Sequence, residues 1–364
     1  MKLGLRSLCR WVPVVAVFLL LAASVPPAAR AAPGLEAALA RGAAALQKVE
    51  VREDYSPWIA VTLRAAGYEP RTGVDAFVEG LAPDGPTTDY ALALLAVLAE
   101  DGPTAPAVDE LARRLAASRQ ADGKFADCID GSGTELVNAH VWAMIALGAS
   151  GTAMPAPERA CDWLAARQHP DGGFSYGTDV EDSDVDMTAM ALLAFAALDC
   201  VDDPAVDRAL RYLAGVQSEV TGGFGGWGLE TTADSSAVVI QSLVALGLNP
   251  TGPEWTKRAG NPVTAVLALQ GNDGCFSYAA GFDANLFSTR SAVLALADLQ
   301  AGTPFWERLA VSDHVADVPA GGPTAGTLTP AGPAWLVVMV TGALTPAPRM
   351  PAAWLLFLEE CVGH

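Results

Sequence analysis

The feature that most constrains the fold of this chain is a repeated turn. Four segments begin with Gln, contain glycine and end in Phe, at spacings of 48, 49 and 53 residues: "QADGKF" at 120, "QHPDGGF" at 168, "QSEVTGGF" at 217 and "QGNDGCF" at 270. A period of this length indicates stacked units, each of which buries its apolar face against its neighbours. The chain is therefore expected to be an array of one repeated unit.

Apolar periodicity predicts two helices in each unit. The expected pairs are 35–50 with 57–66, 74–80 with 88–100, 106–119 with 134–149, 156–168 with 183–199, 204–217 with 232–247, and 256–270 with 285–299. In each pair one helix carries charge on one side, as in "PERACDWLAARQ", and the other is apolar nearly all round, as in "MTAMALLAFAALD". Six amphipathic helices outside six buried ones predict an all-α fold, an α6/α6 toroid over residues 32–300. An open solenoid is the alternative.

The two ends of the chain differ from the repeats. Basic residues precede the apolar run "VPVVAVFLLLAASV", and Ala29 and Ala31 follow it in a small-x-small pattern, so residues 1–31 are interpreted as a secretory signal peptide. Residues 301–333 are rich in Pro, Gly and Thr and are predicted to be a linker. Residues 334–364 are predicted to form an apolar appendage, and membrane association would come only through this tail.

Charge and cysteine content narrow the classes of partner and compartment. The formal net charge is −19, and removal of residues 1–31, which contain four basic and no acidic residues, makes it −23. Such a surface repels phosphate backbones, so a nucleic-acid partner is not expected. The five remaining cysteines leave at least one thiol unpaired, and the sequence does not decide the pairing among Cys128, Cys161, Cys200, Cys275 and Cys361. Cys161 and Cys200 fall on the same rim, where a disulfide is geometrically feasible.

Polar residues recur where the predicted inner helices start. Their spacings are 49, 48, 48 and 51 residues in the series Asp89, Asn138, Asp186, Asp234 and Asn285. In a closed ring these starts converge on one rim, and the glycine-rich turns bring aromatic residues to the same side: Phe174, Tyr176, Trp227 and Tyr278. An acidic rim with interleaved aromatics predicts a ligand-binding mouth. Helix capping is the alternative role for Asp89, Asn138 and Asp234.

The segment before the fourth inner helix is more acidic than capping requires. It places five carboxylates within eight residues: Asp179, Glu181, Asp182, Asp184 and Asp186. An EF-hand is excluded because Met187 stands where that loop needs Gly and Leu193 where it needs Glu. An irregular calcium site formed by Asp182, Asp184 and Asp186 is left open, and no other cofactor is expected.

Two further polar residues lie inside predicted inner helices. His140 lies near the start of its helix and is either a ligand contact or a core histidine satisfied by hydrogen bonds. Gln241 interrupts an apolar helix, so it either reaches the barrel axis as a ligand contact or bonds a neighbouring helix.

The repeat units resemble those of a known superfamily. "WLAARQHPDGGF", "DVDMTAMALLAFAAL" and "SAVVIQSLVALGLNP" are similar to prenyltransferase/squalene-oxidase repeats, which fold as α6/α6 toroids. The resemblance covers about residues 35–300. It is closest to exported bacterial surface proteins with these repeats, and more distant to the helical domains of cobalamin carriers and to class II terpene cyclases.

The resemblance implies several competing functions. The cyclases carry Asp-x-Asp-Asp-Thr-Ala, and this chain matches from Asp184 to Ala189 except at Met187, which would make Asp186 the general acid beside Asp184. Three features argue against cyclisation. Met187 replaces a carboxylate of the motif, the chain has the length of one barrel where these cyclases use two, and export separates the protein from polyprenyl substrates made inside the cell. A zinc prenyltransferase site fails on spacing, since Asp127 and Cys128 are adjacent where the family has Asp-x-Cys. Carbohydrate cleavage in an α6/α6 barrel would need paired catalytic carboxylates in an aromatic-rich groove. The sequence has no distinctive acidic pair, and only 7% of its residues are aromatic, so this function is not favoured.

The sequence thus favours noncatalytic binding. We expect an exported toroid of the cell surface that binds a small molecule or surface partner at its acidic, aromatic mouth. A terpene cyclase or prenyltransferase-like enzyme that uses Asp186 as general acid is the alternative.

Overall fold

A computed structural model describes residues 34–49, 56–70, 73–226 and 228–309. In these ranges the α-helices are α1 Leu35–Leu46, α2 Ser56–Ala65, α3 Val74–Glu79, α4 Thr87–Glu100, α5 Pro106–Ala117, α6 Val137–Ser150, α7 Glu158–Ala165, α8 Val185–Ala197, α9 Pro204–Val216, α10 Ala233–Ala245, α11 Pro262–Leu267, α12 Leu286–Ala301 and α13 Phe305–Leu309. A 3-10 turn covers Pro253–Trp255. Two short strands, β1 Phe276–Ser277 and β2 Ala284–Asn285, pair antiparallel before α12.

The even-numbered helices from α2 to α12 form a closed inner ring. Each packs against the next, and α12 packs against α2, while the odd-numbered helices from α1 to α11 lie outside. The inner helices can be buried on both sides because their sequences are apolar nearly all round, as in α8, where Val185, Leu192 and Phe195 are all buried. The predicted all-α α6/α6 toroid is confirmed.

Three of the four repeated glutamines, Gln168, Gln217 and Gln270, join their unit to the next, and the last of them closes the ring, whereas Gln120 donates to carbonyls of its own loop. Gln168 donates from Nε2 to the carbonyl of Ala205 at 2.8 Å, which ties its turn to α9. Gln270, in the last repeat, makes the same contact to the carbonyl of Ala38 in α1, also at 2.8 Å. The same sequence signal therefore specifies both neighbour contacts and closure.

Glycine in the same turns permits this close approach. Gly172 has φ 95°, and a Cβ there would lie 2.5 Å from the carbonyl oxygen of Arg208. Gly274 has φ 91°, and a Cβ there would lie 2.6 Å from the carbonyl oxygen of Arg41. At each of the two positions, both the left-handed backbone and the lack of room for a side chain require glycine.

One disulfide links α7 to the end of α8. Cys161 and Cys200 are bonded with a Cα–Cα distance of 6.5 Å, on the rim opposite the starts of the inner helices. Of the other cysteines, Cys128 and Cys275 are free, and Cys361 lies outside the described residues. The feasible pairing is the one that forms.

A last short helix covers one end of the ring. α13 contacts α2, α4, α6 and α12, and Phe305, Trp306 and Leu309 are buried there. Arg308 donates from Nε to the carbonyl of Ala65, the last residue of α2, at 2.7 Å. We call this end, where the inner helices finish, the floor.

The sequence predicted that a linker starts at residue 301, whereas the structure has helix at and shortly after this position. α12 continues through Ala301 and α13 follows, because three apolar side chains find an apolar surface at the helix ends. The rest of the predicted linker, the predicted appendage at 334–364 and the predicted signal peptide at 1–31 lie outside the described residues. Within the described ranges, no helix combines the length and apolarity that a bilayer span needs.

Candidate functional site

The candidate site lies at the opposite end, where the inner helices begin, which we call the mouth. Asn138, Asp186 and Asp234 are each the second residue of consecutive inner helices, α6, α8 and α10. Asn138 shares a helix face with Trp142, four residues later. The ring of Trp142 contacts that of Trp58 in α2 at a centroid distance of 4.9 Å, although α4 lies between their two helices. The face that carries Asn138 therefore points into the ring. We call Asn138, Asp186 and Asp234 the acidic arc.

Two members of the predicted polar series do not belong to the arc. Asp89 is the third residue of α4, and Thr88 holds the equivalent second position. Asn285 is the N-cap of α12, with Oδ1 accepting from the amide of Ser288 at 2.8 Å, and Phe287 holds the second position. The two outer residues are not equivalent because the second positions of the inner helices are 50, 48, 48 and 53 residues apart, whereas the polar residues are 49, 48, 48 and 51 apart.

Other residues cap the helices of the arc. Asp184 caps α8, with Oδ1 accepting from the amide of Met187 at 2.7 Å. Thr232 caps α10 through the amide of Ser235, and α6 has no side-chain cap. The capping interpretation is therefore wrong for Asn138 and Asp234 and describes Asn285 instead. Asp186 and Asp234 are available for another role.

The arc holds polar atoms that the protein does not satisfy. Among the described residues, buried side-chain atoms without a hydrogen-bond partner include Asn138 Nδ2, Asp186 Oδ1 and Asp234 Oδ1. Asn138 is 3% exposed, and the two aspartates are partly buried. Asp234 Oδ2 accepts from the hydroxyl of Ser288 at 2.8 Å. Buried polar groups are nearly always paired, so three orphaned atoms on adjacent helices indicate a place for a ligand.

Burial makes the carboxyl groups of the mouth weak acids. Burial and, to a smaller extent, the charge of Asp234 raise the pKa of Asp186 to about 6, and a hydrogen bond with Ser235 opposes the rise. Burial and the charge of Asp186 raise the pKa of Asp184 to about 7. Burial also raises the pKa of Asp234, opposed by Ser288, Ser291 and Arg290. Near neutral pH a fraction of these carboxyl groups is therefore protonated.

The α12 side of the mouth is cationic and aromatic instead. The guanidinium of Arg290 lies 4.6 Å from the ring centroid of Trp58 and 4.4 Å from that of Phe287. Phe287 is 44% exposed. The sequence pattern alone did not predict this cluster of Trp58, Phe287 and Arg290. The available signal was a lone basic residue in the inner helix "LFSTRSAVLALADLQA".

His140 and Gln241 are engaged by the protein itself. His140 is fully buried; Nδ1 accepts from the amide of Phe125 and Nε2 lies 3.0 Å from the carbonyl of Ala160. Burial lowers its pKa to about 3, so the ring is neutral and joins two repeats. Gln241 donates to Asp298 Oδ2 at 3.4 Å on the neighbouring helix. Both residues take the structural role that the sequence left open, which corrects their assignment as ligand contacts.

The predicted aromatic turns divide into core and mouth. Phe174 is fully buried, and Tyr176 is 7% exposed with its carbonyl accepting from the amide of Val137 at 2.9 Å. Tyr278 lies close to the arc, with its carbonyl accepting from the amide of Ala233 at 2.8 Å, and burial and the charges of Asp234 and Asp186 raise the pKa of its hydroxyl. Trp227 lies outside the described residues.

The calcium site is not assembled. Asp182 is exposed, Asp184 caps α8 and Asp186 belongs to the arc. No group of three His, Cys, Asp or Glu side chains in the described part of the chain is placed to hold a metal ion.

Comparison with known proteins agrees with this architecture. The model of the prenyltransferase alpha-alpha toroid domain matches residues 39–235 and 230–319. A squalene–hopene cyclase of Bradyrhizobium diazoefficiens is 32% identical over 148 residues, which are 37% of this chain and 22% of that enzyme. This chain thus matches about a fifth of the length of that relative.

Two solved structures share the fold. The type II terpene cyclase MstE from Scytonema has a TM-score of 0.54 and 14% identity, over 74% of this chain and all of that one. A protein from Actinoplanes has a TM-score of 0.50 and 14% identity, over 74% of this chain and 99% of that one. The family match covers more than half of the sequence, and the chain belongs to the prenyltransferase alpha-alpha toroid family.

Proposed function

We propose that this toroid admits an isoprenoid chain through the mouth and protonates it with Asp186, as a terpene cyclase-like enzyme. The observation that carries the proposal is the Asp186 carboxyl group, which faces the ring interior with a buried, unpartnered oxygen and a pKa of about 6. A general acid is most effective when its pKa lies near the working pH. Family membership and the cyclase relatives add support.

In this mechanism Asp186 gives its proton to a terminal alkene carbon. The π electrons form the new C–H bond, a tertiary carbocation is left on the chain, and Asp186 becomes a carboxylate. The hydrogen bond with Ser235 then stabilises the carboxylate. A base must finally remove a proton from the cyclised cation, and this returns the balance of charge.

The interior offers groups that suit a carbocation. Trp142 meets Trp58 inside the ring and presents a π system, which attracts a cation at up to about 2 kcal/mol when desolvated, whereas the ring of Trp58 already carries the guanidinium of Arg290. The single toroid, which counted against cyclisation at the sequence level, is no longer an objection, because the whole MstE chain aligns with 74% of this one.

The test is product formation from squalene and from geranylgeraniol, followed by gas chromatography and mass spectrometry. The intact protein is expected to form cyclised products. Asp186→Asn should lower the rate by about 100-fold or more, the typical contribution of a general acid. Asp182→Asn is the matched control, since Asp182 is exposed in the same acidic segment and should leave the rate unchanged. Equal rates in wild type and Asp186→Asn would refute the proposal.

Noncatalytic binding is the second candidate. Met187 favours it, because it replaces a carboxylate of the cyclase motif beside Asp186. In the same assay a pure binding protein returns the isoprenoid unchanged and retains it equally in wild type and Asp186→Asn.

We also propose that the protein works outside the cytosol. The Cys161–Cys200 disulfide supports this, because such bonds persist in oxidising compartments. The net charge of −19 agrees with a soluble surface.

A further inference from the structure

Two carboxyl groups of the acidic arc lie on neighbouring helices, and the protein surrounds them differently. Asp186 and Asp234 are the second residues of α8 and α10, which pack against each other in the ring. Asp186 forms a hydrogen bond with Ser235, the residue that follows Asp234, so the two carboxyl groups belong to one cluster. Each of them keeps one buried oxygen without a hydrogen-bond partner. Neighbouring buried carboxyl groups do not ionise independently of each other.

The partners of Asp234 on α12 stabilise its charged form. Ser288 donates from its hydroxyl to Asp234 Oδ2 at 2.8 Å. Asn285, the N-cap of α12, donates from Nδ2 to the hydroxyl oxygen of Ser288 at 3.1 Å, which keeps the hydrogen of that hydroxyl for the carboxylate. Hydrogen bonding with Ser291 and the positive charge of Arg290 also lower the pKa of Asp234. One helix thus presents two hydroxyl groups and a cation to this carboxyl group.

Asp186 has a poorer set of partners. The hydrogen bond with Ser235 favours its carboxylate, whereas the charge that acts on it is the negative charge of Asp234. In the part of the chain that the structure describes, the other titratable groups whose pKa values reflect these carboxylates supply no positive charge: Asp184 before α8, Tyr212 on α9 and Tyr278 after β1. When the pair holds one proton, that proton therefore resides on Asp186 and the charge resides on Asp234.

We propose that Asp234 is a positioning residue for the general acid, a fixed carboxylate that keeps the proton on the Asp186 carboxyl group until the alkene accepts it. The inference rests on the proposed function, because it concerns the proton that Asp186 gives. In the proton transfer Asp186 becomes a carboxylate, while Asp234 keeps its charge and gives up no proton. α8 thus carries the proton, and α10, supported by α12, carries the charge. Without that charge, Asp186 would lose its proton to solvent at a lower pH.

The first test is the pH dependence of cyclisation. The initial rate of product formation from geranylgeraniol is measured with the full-length protein between pH 4.5 and pH 8.5. In wild type the rate should fall as the pH rises through about 6, where Asp186 loses its proton. In Asp234→Asn this fall should occur about one pH unit lower, so the rate should be about tenfold lower at pH 7.5 and within about twofold of wild type at pH 4.5. An equal loss at both pH values would show a merely structural role and overturn the inference.

Three further variants isolate the charge of Asp234. Asp234→Glu keeps the charge, so its rate should fall within about half a pH unit of wild type. Asp182→Asn removes an exposed charge from the segment before α8 and should keep the wild-type profile. Ser288→Ala removes a hydrogen bond from the Asp234 carboxylate and should shift the fall in the same direction as Asp234→Asn, by a smaller amount. This last variant also serves if Asp234→Asn does not fold.

Infrared spectroscopy separates this inference from the proposed function, because it needs no substrate. The band of protonated carboxyl groups is followed against pH, and the part that is lost in Asp186→Asn belongs to Asp186. The midpoint of that part should lie about one pH unit lower in Asp234→Asn than in wild type. An unchanged or higher midpoint overturns the role of Asp234, whether or not the protein forms products. A shifted midpoint in a protein that forms no cyclised product overturns the proposed function and supports the assignment of proton and charge.

Discussion

The mouth and the floor of the ring both contain buried carboxyl groups, but the protein treats them in opposite ways. At the floor, Asp298 is fully buried and is held by Arg308 and Gln241. At the mouth, Asp186 and Asp234 each keep one buried oxygen without a hydrogen-bond partner. The ring of inner helices thus has a satisfied acid at one end, on α12, and unsatisfied acids at the other, on α8 and α10.

The contrast separates structural from functional acids. Burial raises the pKa of Asp298 to about 6, and Arg308 opposes that rise. Burial raises the pKa of Asp186 to the same value of about 6, but the charge that acts on it is that of Asp234, of the same sign. A similar pKa therefore has different causes: the carboxylate at the floor has a counterion, whereas the carboxyl group that we propose as general acid at the mouth has a like charge near it, which favours its protonated form.

The largest expected effect comes from breaking the floor. Arg308→Gln removes the counterion of Asp298 and should lower the free energy of unfolding by about 3–5 kcal/mol at pH 8. The loss should be smaller at pH 5, where Asp298 is protonated and needs no cation. Urea denaturation at pH 5 and pH 8 measures the free energy of unfolding. Arg211→Gln, which removes a charge from the exposed surface of α9, is the control. A loss that does not change with pH would show that Arg308 acts by packing alone.

At the mouth, removing a charge should stabilise the fold. The folded-state pKa of Asp186, about 6, lies above its ordinary value, so the protonated form favours folding. That contribution is complete below about pH 4 and is lost as the pH rises through 6. Asp186→Asn should therefore raise the free energy of unfolding by about 1–3 kcal/mol at pH 8 and change it little at pH 4.

Urea denaturation of wild type and Asp186→Asn across this pH range is the measurement. Asp182→Asn, in the exposed part of the segment, should show no such trend. Destabilisation by Asp186→Asn at pH 8 would mean that the carboxylate is satisfied, and would remove the contrast with the floor.

The smallest expected effect concerns the second partner at the floor. Gln241 reaches Asp298 over 3.4 Å, a long hydrogen bond, and Arg308 remains in place without it. Gln241→Leu should change the free energy of unfolding by less than about 1 kcal/mol. A loss as large as that of Arg308→Gln would show that the amide of Gln241 stabilises the buried carboxylate of Asp298 as much as Arg308 does.

The repeats made the toroid predictable, because turn and helix signals recur and support one another. The sequence also identified Asp186 and Asp234 at the same place in successive units. Asp89 and Asn285 are not equivalent to them, since small changes in loop length shift the start of the helix relative to the polar residue.

Other parts of the site were beyond a sequence pattern. An inner helix is apolar nearly all round, so periodicity does not distinguish the face towards the ring interior from the face towards the outer helices. For that reason Trp58 and Arg290 were not recognised as interior residues. The floor was missed because α13 has five residues, and what holds it is the surface offered by four distant helices.

The hydrogen bond between Gln270 and the carbonyl of Ala38 has a consequence for how the protein folds during its synthesis. Its two residues are 232 positions apart, so α1 leaves the ribosome long before the surface that receives it exists. An open array can gain or lose a terminal unit at modest penalty, but a circle has no terminal unit. Loss of either end from this chain would expose a seam, and the remaining repeats would have to find stability without a neighbour on one side.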